Sequence, residues 1–357
     1  MIVIEHEKLR TVTREIIAAG GSTGEEPRLV ADHLVEANLT GHDSHGVGML
    51  PRYVDNLSRG VLRANRHAEI VADLGSMVVV DGQMGYGQVV AREATDIGIK
   101  RARAHGLSLV ALRNAHHVGR VGAWGLQCAE VGLVSMHYVN VTGHPPIVAP
   151  FRGTDARFTT NPYCCALPAT DRHPAVLLDM ATTKIAMGKV RVAMNKGEQV
   201  ENETLIDAEG RPSNDPGVMF REPRGALLPM GAHKGYGLAV ICELLAGAMT
   251  GGGTAQPGNP RPDSIVNNML SIIIDPRRLV DESYFRAEVD AMIDHIKGSP
   301  PADPDAPVLV PGDPERAARA EREANGIPID DATWEQILAA AESLGLARAD
   351  LAGLAAA

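Results

Sequence analysis

Hydrophobic residues recur at helical spacing in the opening part of the chain. The apolar positions from Leu9 to Ile17 form one stripe, and Gly20 and Gly21 follow it as stop signals. A second stripe runs through residues 25–38, with the charged positions facing away from it. The pattern predicts that the chain opens with a pair of helices.

The pattern changes after residue 76, where strand-like and helix-like stretches alternate. Residues 78–80 are valines, and a Gly-x-Gly turn at residues 85–87 precedes a predicted helix that runs to about residue 105. A strand, a glycine turn and a helix outline a dinucleotide-binding turn. The next predicted strand, residues 107–112, leads into Arg113 and lacks the acidic residue that usually holds a ribose, although Arg113 could meet a 2′-phosphate. Because the chain after Gly132 reads as short strands and turns, a doubly wound sheet is the less favoured of two interpretations.

The later part of the chain reads as mixed and then helical. Further strands are predicted at residues 133–141, 166–167, 176–178 and 271–274. A helix is predicted over residues 285–296, and the capping-box spacing of residues 333–336 predicts the start of the last long helix. Residues 251–263 begin with three glycines and are predicted to form a mobile loop. The alanine-rich tail approaches low complexity.

Composition and charge limit the classes of partner. With 357 residues, of which 45% are hydrophobic, the chain can form two domains or one large one. The formal net charge of -10, without a basic block, argues against nucleic acid and anionic membrane surfaces as partners. No run approaches the roughly 18 apolar residues of a membrane span, and no signal-like segment opens the chain, so a cytoplasmic location is expected. The 4 cysteines show no CxxC spacing and are expected to be buried hydrophobes.

The densest group of chemically active side chains lies at residues 40–53. A neutral imidazole such as that of His45 can donate or accept a proton at a reacting oxygen, and a guanidinium such as that of Arg52 binds a carboxylate through two hydrogen bonds. If residues 47–58 form a helix, these two side chains project from nearly the same side, although Pro51 could kink that helix. The pair suits a 2-oxo or 2-hydroxy acid, whereas the plainer interpretation is a solvated surface loop.

A second cluster, at residues 113–122, contains the adjacent histidines His116 and His117. Neighbouring side chains point to different sides of the element that carries them, so only one of the two is expected to serve a site. Together with His42 and His45 they could instead form a metal site, but no carboxylate stands at a typical ligand interval. Structural, catalytic and metal-binding roles therefore remain open for these imidazoles.

Two later segments also carry candidate binding groups. Asp179 ends an apolar strand and could orient an imidazole, but it could equally cap the following helix. Glycines around Lys234 precede an apolar helix predicted over residues 238–249, and a lysine at a helix N-terminus suits a phosphate. The phosphate-binding motif GxxxxGK[ST] is absent from this segment.

Eight short motifs occur in a fixed order along the chain. They are Asp43-Ser44-His45-Gly46, His117-Val118-Gly119, Thr160-Asn161-Pro162, Asp179-Met180-Ala181-Thr182, Gly188-Lys189, Lys234-Gly235-Tyr236-Gly237, Asp275-Pro276 and Pro311-Gly312. In these motifs and their order, nearly the whole chain resembles the malate/L-lactate dehydrogenase family of the non-Rossmann type, which includes ureidoglycolate, sulfolactate and diketogulonate oxidoreductases.

The resemblance implies an NAD(P)-dependent oxidoreductase that interconverts 2-oxo acids and 2-hydroxycarboxylates and acts as a homodimer. It also implies a mixed α/β fold. In this fold a non-Rossmann cofactor-binding domain with a largely antiparallel sheet packs on a helical domain made from both chain ends. The corresponding expected regions are residues 1–75, 76–280 and 281–357. The glycine turn at residues 85–87 is then a structural turn.

The resemblance also implies the roles of individual residues. The expected catalytic residues are His45, Ser44, His117 and Asp179. The expected substrate-binding residues are Arg52, His117 and Asn161. The expected cofactor-binding residues are His45, Gly119, Arg120, Val121, Leu178, Asp179, Met180, Ala181, Thr182, His233, Lys234, Gly235, Gly312, Asp313 and Glu315. His45 would donate a proton to the substrate oxygen, Arg52 would hold the carboxylate, the cofactor would be NAD or NADP, and no metal is expected.

Two departures from the family pattern and two rival functions remain. Asp313 stands where many members have Glu, and Asn268-Met269 stands where many have Gly-His, in a segment that could border the substrate pocket. One rival function is a metal-dependent hydrolase that uses the four histidines of the two clusters. The other is a nicotinamide-binding protein without turnover.

Overall fold

The computed structural model describes residues 1–356, without the side chains of Asn195, Lys196 and Ala356. The α-helices are α1 (His6–Ala19), α2 (Glu26–Leu39), α3 (Leu50–Ser58), α4 (Gly87–His105), α5 (Gly122–Ala129), α6 (Met187–Lys196), α7 (His233–Cys242), α8 (Glu282–Lys297), α9 (Asp313–Asn325), α10 (Asp331–Ser343) and α11 (Arg348–Ala356). Within the described residues, none of these helices combines the length and the apolar character needed to cross a membrane.

The strands alternate with these helices along the chain. They are β1 (Ile2–Ile4), β2 (Glu69–Leu74), β3 (Met77–Asp81), β4 (Leu107–His116), β5 (Val134–Thr142), β6 (Tyr163–Leu167), β7 (Val176–Met180), β8 (Leu205–Ile206), β9 (Pro212–Ser213), β10 (Ala226–Leu227), β11 (Val266–Ile274) and β12 (Ile327–Ile329). The fold is therefore mixed α/β, as expected from the sequence.

The main sheet is mostly antiparallel. Its strand order is β2-β3-β4-β11-β5-β6-β7, and among the described strands only β3 and β4 pair in parallel. These two strands flank α4, which makes the required crossover connection. The sheet thus lacks the parallel order of a doubly wound fold. It ends at β7, which is an edge strand and carries Asp179.

The glycine turn before α4 is filled by the protein's own backbone. A Cβ atom at Gly87 would lie 2.2 Å from the carbonyl oxygen of His117 and 2.4 Å from that of His116. Arg113 Nε donates to Asp81 Oδ2 at 3.1 Å, so its guanidinium is paired within the sheet. The close approach explains the glycine, and it leaves this helix N-terminus facing the backbone of the second histidine cluster.

The two ends of the chain share one hydrophobic core. β1 and β12 form an antiparallel pair, and the helices beside them bury a common apolar cluster that includes Leu9, Ile16, Tyr53, Ile327 and Ile337. The predicted opening helices are confirmed as α1 and α2. The alanine-rich tail forms α11, which the sequence pattern did not predict, and its Leu351 joins the same core.

The start of the last long helix was predicted at the wrong residue. Asp330 is the N-cap of α10, and its carboxylate accepts a hydrogen bond from the Thr333 backbone N–H. Thr333 is therefore at the third helical position and not at the cap. Aspartate is as good a cap as threonine, so local sequence offered two starts for this helix.

The C-terminal helices contact different parts of the molecule. In α8, Asp294 binds Arg172 and His173, which lie in the loop between β6 and β7. In α9, Arg322 forms hydrogen bonds to the Asp43 carboxylate beyond the end of α2. The division of the chain at residues 75 and 280 stays a prediction.

Candidate active site

A tight turn after α2 carries His45. Asn38, near the end of α2, fixes this turn because its Oδ1 accepts from the Val47 N–H at 2.8 Å and its Nδ2 donates to Asp43 Oδ1 at 2.7 Å. A Cβ atom at Gly46 would lie 2.2 Å from Asn38 Oδ1, so only glycine allows this close approach. The glycine of the motif therefore serves the shape of the turn, and Asn38 holds the turn at both ends.

The helix that follows begins in a way that accommodates its proline. Residues Val47–Met49 form a short 3-10 turn, and α3 starts at Leu50, which places Pro51 in the first helical turn. A proline in that position costs no intrahelical hydrogen bond, so the kink that Pro51 could have caused is not needed. From α3, Arg52, Tyr53 and Asn56 reach three different partners.

His45 and His117 form a stacked pair of imidazoles. Their ring centroids are 5.5 Å apart, with an interplanar angle of 24°. His45 is half-buried, and its Nδ1 lies 3.0 Å from Ser44 Oγ. His117 is buried, and its Nδ1 lies 2.7 Å from Tyr53 Oη. The two histidine clusters of the sequence thus meet at one place.

Burial keeps both imidazoles of this pair neutral at neutral pH. Burial lowers the pKa of His45 to about 4, with His42 and Arg120 adding to this effect and the Asp179 carboxylate opposing it. The pKa of His117 lies well below its usual value because of burial, with smaller contributions from the imidazoles of His45 and two further histidines. The pair can therefore accept or share a proton without carrying a standing charge.

His116 points away from this pair. Its Nε2 lies 2.8 Å from Asn56 Nδ2, and its ring is fully buried beneath α3. Only one of the adjacent histidines, His117, therefore lies against His45, and its role in a site stays a prediction. His42 Nε2 contacts Glu315 Oε1 at 3.2 Å, so the four histidines of the proposed metal site do not converge. Within residues 1–356, no group of three or more His, Cys, Asp or Glu side chains is arranged to hold a metal ion.

Asp179 and Arg120 form a buried ion pair beside the imidazoles. Arg120 is 2% exposed, and its Nε lies 3.3 Å from Asp179 Oδ2. The same oxygen accepts a hydrogen bond of 2.8 Å from the N–H of Gly122, the first residue of α5. Asp179 therefore sits at the N-terminus of α5, where the helix dipole favours a negative charge. It neither caps the helix that follows it in the sequence nor forms a hydrogen bond to an imidazole, so its predicted orienting partner was wrong.

His33 holds the backbone that carries Arg120, and no motif in the local sequence pointed to this role. His33 Nε2 accepts from the Arg120 N–H at 2.9 Å, and its ring stacks on Trp124 with centroids 5.0 Å apart. Gly119 has a φ of 70°, and a Cβ atom there would lie 2.1 Å from His33 Nε2. His33 fell on the apolar stripe of a predicted helix, where it looked like any core residue.

A cleft of about 200 Å³ opens beside Arg120. Its lining residues come from α2, β7, α9 and the segments next to them, and they are Glu36, Thr40, Arg120, Leu126, Pro174, Ala175, Leu177, Gly312, Glu315, Arg316 and Arg319. Gly312 has a φ of 98° and leads into α9. Burial alone would raise the pKa of Glu315, but the hydrogen bond to His42, a backbone hydrogen bond and the charges of His42 and Arg120 together lower it.

Arg120, which lines this cleft, has a buried donor without a partner in the described part of the chain. Nη1 of Arg120 donates to Thr40 Oγ1 at 3.0 Å, but its Nη2 has no hydrogen-bond partner among the described residues. Buried polar groups in native proteins are nearly always hydrogen-bonded, so an unpaired guanidinium N–H points to a ligand that supplies an acceptor. Phosphate, carboxylate and ribose oxygens all meet that requirement.

The residues that follow β7 lead from this cleft to the start of α7. The N–H of Leu177 donates to the Pro311 carbonyl oxygen, and the N–H of Met230 donates to the Thr182 carbonyl oxygen. α7 begins at His233, five residues earlier than the sequence predicted, and Lys234 in its first turn is exposed. Most of the expected cofactor-binding residues therefore lie along one edge of the main sheet.

Arg52 is already paired with a carboxylate of the protein. Its Nη2 donates to the backbone oxygen of Asp263 at 2.6 Å and to Asp263 Oδ1 at 3.2 Å. Arg59, two turns later in α3, also binds both groups of Asp263. Asp263 ends the glycine-rich loop, so this loop is tied to α3 through both arginines.

Comparisons with known proteins agree with this geometry. The model of the malate/L-lactate dehydrogenase family matches residues 4–338. Hydroxycarboxylate dehydrogenase B of Escherichia coli O157:H7 is 47% identical over 343 residues, which are 96% of this chain and 93% of that protein. L-lactate dehydrogenase of Cupriavidus necator is 40% identical and covers 95% of this chain and 97% of its own length. The structure of sulfolactate dehydrogenase from Methanocaldococcus jannaschii is similar with a TM-score of 0.84 at 31% identity, covering 98% of this chain and 99% of that one.

The chain belongs to the malate/L-lactate dehydrogenase family. The resemblance inferred from the motifs of the sequence is confirmed.

One departure from the family pattern lies in the interior of the main sheet. Asn268 is fully buried in β11, where its Oδ1 accepts from the Asn114 N–H at 3.0 Å and its Nδ2 donates to Asn140 Oδ1 at 2.9 Å. Met269 is buried in the core of the sheet. A Cβ atom at Gly252 would lie 1.9 Å from Asn268 Oδ1, so the glycine-rich loop covers this position. Both side chains are thus used inside the protein, and a border of this segment with a substrate pocket stays a prediction.

Other expected site residues of this family member are used inside the protein. Asn161 is fully buried, and its amide donates to Glu243 Oε2 at 2.6 Å and to the Ala239 carbonyl oxygen, so its side chain does not face the imidazole pair as a substrate ligand. The Thr182 hydroxyl donates to the Thr160 carbonyl oxygen at 2.7 Å. Val121 packs in the core of the main sheet. These residues shape the site through the backbone and through packing.

The other family departure, Asp313, has a structural role in α9. Its carboxylate accepts from the Val310 N–H at 3.0 Å and binds Lys297 Nζ at 2.9 Å, with Arg316 as a third partner. Although burial opposes its ionisation, these partners lower the pKa of Asp313 to about 2. Glutamate would reach one methylene further, but here the shorter side chain binds the segment just before α9 and is satisfied by its own protein.

Proposed function

We propose that the protein is an NAD(P)-dependent 2-hydroxycarboxylate dehydrogenase that interconverts 2-oxo acids and 2-hydroxy acids. The observation that carries the proposal is the stacked pair of His45 and His117 beside a cleft in which buried Arg120 has an unpaired N–H. A proton-transfer group and an anion-binding group are the two elements that such a reaction requires of the protein. The names of the relatives support the same class of substrate.

The cleft residues fit a nicotinamide dinucleotide. Arg120 would hold a phosphate oxygen, and Glu315 could accept from a ribose hydroxyl. The Gly312 backbone has no side chain to obstruct an adenosine. The half-buried residues of β7 from Leu178 to Met180 would lie along the nicotinamide half, with the exposed N-terminus of α7 beyond them. When bound, the cofactor supplies or accepts the hydride.

His45 is the proposed proton carrier at the substrate oxygen. Ser44 occupies its Nδ1, so Nε2 is the nitrogen that remains for a ligand. In the free protein its low pKa keeps it a neutral imidazole, which is the form that can act as a base towards a hydroxy acid. A bound oxo acid brings a carboxylate close to the ring, which favours the protonated form and so supports reduction.

Arg52 is the proposed partner of the substrate carboxylate. It already holds one carboxylate, that of Asp263, at the protein surface. An incoming acid would replace Asp263 as the partner of this guanidinium, while Arg59 could retain the displaced side chain. After the exchange, Arg52 pairs with the substrate and Arg59 pairs with Asp263. Each arginine therefore keeps one ion pair when the acid binds.

A second copy of the chain is the proposed partner of α7, the helix that carries Lys234 in its first turn. The π-helical extension of α7, Glu243–Ala248, leaves large apolar side chains exposed. Ile241 is 47% exposed, Leu244 is 51% exposed and Met249 is 57% exposed. A contiguous apolar face of this kind is typical of a protein interface, and the family resemblance implies a homodimer. Light scattering on the purified protein, with Leu244→Glu as the matched variant, tests this assembly.

One experiment separates the proposed function from its rivals. Purified protein is treated with chelator and then incubated with NADH or NADPH and a panel of small, acidic and aromatic 2-oxo acids, and loss of the reduced cofactor is followed by absorbance. Turnover that survives metal removal is expected. Such turnover would exclude the metal-dependent hydrolase, and cofactor binding without reduction of any acid would support a silent binding protein.

A further inference from the structure

A line of buried hydrogen bonds connects α4 with the reactive pair. Gln88 Nε2 donates to Tyr53 Oη at 2.7 Å, and the same oxygen lies 2.7 Å from His117 Nδ1. Gln88 belongs to the first turn of α4, and Tyr53 belongs to α3. Tyr53 is fully buried and Gln88 is 1% exposed, so bulk water does not reach these bonds.

The direction of these hydrogen bonds follows from counting hydrogens. A tyrosine hydroxyl has one hydrogen to donate. Because the Gln88 amide nitrogen donates to Tyr53 Oη, the hydroxyl hydrogen is directed at His117 Nδ1, which is the acceptor within hydrogen-bond distance. A neutral imidazole that accepts at Nδ1 carries its hydrogen on Nε2.

The protonation states of both rings support this direction. Burial raises the pKa of the Tyr53 hydroxyl, so it stays protonated and remains a donor at neutral pH. Burial lowers the pKa of His117, so the ring stays neutral and keeps one donor and one acceptor nitrogen. In the opposite tautomer, a hydrogen on His117 Nδ1 would be directed at Tyr53 Oη. The tyrosine hydrogen would then need another acceptor in a buried place, and leaving it without one is costly.

We propose that Gln88 and Tyr53 are positioning residues that hold His117 as the Nε2–H tautomer, so that this ring donates a hydrogen bond to the reacting oxygen of the substrate. The proposal rests on the proposed function for the identity of that oxygen. It assigns different tasks to the two stacked rings. His45 transfers the proton, while His117 polarises the oxygen from a fixed donor and does not itself change charge.

The tautomer can be measured without substrate or cofactor. Protein with 15N-labelled histidine is studied by NMR through the couplings between ring nitrogens and ring carbon-bound hydrogens, and the His117 signals are assigned by their loss in His117→Asn. We expect Nδ1 to be unprotonated and Nε2 to be protonated in the native protein. In Tyr53→Phe the same ring is expected to populate both tautomers. A native ring protonated at Nδ1, or a tautomer unchanged in Tyr53→Phe, would overturn the proposal.

Tyr86→Phe is the matched control for loss of a buried hydroxyl. Tyr86 packs edge-on against Tyr53 with centroids 5.8 Å apart, and its own hydroxyl is not part of the line to His117. We expect Tyr86→Phe to keep the native tautomer and kcat. Tyr53→Phe should lower kcat about tenfold to a hundredfold, the loss known for removing a partner that orients a metal-bound imidazole, with affinity for the dinucleotide unchanged.

The NMR measurement of the tautomer and the measurement of kcat test this proposal separately from the proposed function. Suppose that the Nε2–H tautomer is found in the native protein and is no longer fixed in Tyr53→Phe, while kcat is unchanged. This result would contradict the role of His117 in the reaction. If the protein reduced no 2-oxo acid at all, the NMR result would still establish or refute the tautomer. Gln88→Leu gives a second route, because it removes the amide donor while leaving Tyr53 in place, and it should also release the tautomer.

Discussion

The imidazole pair and the cleft beside it differ in how their polar atoms are satisfied. In the pair, the Nδ1 atoms of His45 and His117 each have a partner from the protein, a serine and a tyrosine hydroxyl. In the cleft, Arg120 is almost completely buried, yet among the described residues its Nη2 has no hydrogen-bond partner. The pair is therefore arranged before any ligand arrives, whereas the guanidinium beside the cleft keeps an unpaired donor for which we propose a ligand oxygen as the partner.

This difference divides the proposed reaction between two regions. Groups that act on the reacting oxygen are held by other side chains, which reduces the reorganisation needed during the reaction. Groups that bind the dinucleotide gain their missing partners from it, so binding is favoured where the free protein is least satisfied. Changes in the pair should accordingly alter turnover, and changes in the cleft should alter affinity.

The strongest test of this division is the replacement His45→Ala. Turnover should fall at least about a hundredfold, because general acid catalysis typically contributes that much or more. Affinity for the reduced dinucleotide, measured by fluorescence titration, should stay close to native. The control is His137→Gln, since His137 is a buried ring held by Ser135 and Ser271 within the main sheet. Near-native turnover in His45→Ala would remove His45 from the reaction.

The reverse pattern is expected for Arg120→Lys. Lysine keeps a positive charge opposite Asp179 but loses the planar fork of donors, so one charged hydrogen bond to the ligand is lost. A loss of about 1.5 to 3 kcal/mol corresponds to a dissociation constant for the dinucleotide raised about tenfold or more. Isothermal titration measures this directly. Arg113→Lys, whose arginine is paired with Asp81, should bind the dinucleotide as the native protein does, and an equal loss in both variants would contradict the cleft assignment.

Arg52→Ala tests whether the substrate carboxylate binds at Arg52, a third region besides the imidazole pair and the cleft. The Michaelis constant for 2-oxo acids should rise about tenfold or more, since one charged hydrogen bond is removed. Arg59→Ala should have a smaller effect, because Arg59 is proposed only to retain Asp263. Steady-state kinetics at saturating cofactor decide between them. An unchanged Michaelis constant in Arg52→Ala would mean that another cation holds the acid.

The comparison also predicts a response to acid through His33, which lies between the two regions. Burial lowers the pKa of His33 to about 3, helped by the charge of Arg120. In the unfolded chain a histidine titrates near pH 6.5, so the unfolded state binds more protons below that pH and the protein loses stability as the pH falls towards 3. The expected contribution is about 1.4 kcal/mol per pH unit for this residue.

His33→Gln removes this titration while keeping an acceptor for the Arg120 N–H. The free energy of unfolding, measured in urea between pH 6 and pH 4, should therefore fall less steeply in His33→Gln than in the native protein. Equal slopes in the two proteins would show that His33 is protonated in the folded state.

The smallest expected effect is that of Asp263→Asn. Asp263 competes with the substrate for Arg52 in the proposed exchange, and an exposed ion pair contributes only about 0 to 1 kcal/mol. The Michaelis constant for 2-oxo acids should therefore fall by up to about fivefold, with kcat unchanged. A rise in that constant would indicate that Asp263 organises the binding site and does not compete for it.

The sequence predicted the reactive groups better than their partners. The turn that carries His45, the helix after it and the strand that ends at Asp179 were all visible in local patterns. These features depend on short-range spacing, which a single sequence records. The opening helices and the mostly antiparallel sheet followed from spacing and from the family resemblance.

The partners could not be predicted because they come from distant parts of the chain. Tyr53 and His117 meet across 64 positions, and Arg322 reaches Asp43 across 279. No local pattern encodes such contacts, so local sequence offered an imidazole or the following helix as partner of Asp179, and its pairing with Arg120 was not predicted. His33 was hidden for a different reason, since a histidine on an apolar helix stripe looks the same whether it fills the core or holds a backbone N–H.

A crystal structure of the protein with oxidised cofactor and a non-reducible analogue of a 2-oxo acid tests the mechanism most directly. We expect the analogue's oxygen about 2.6 to 3.2 Å from His45 Nε2, its carboxylate on Arg52 in place of Asp263, and a phosphate or ribose oxygen on Arg120. A nicotinamide ring bound far from His45, with the analogue elsewhere, would contradict the proposed reaction.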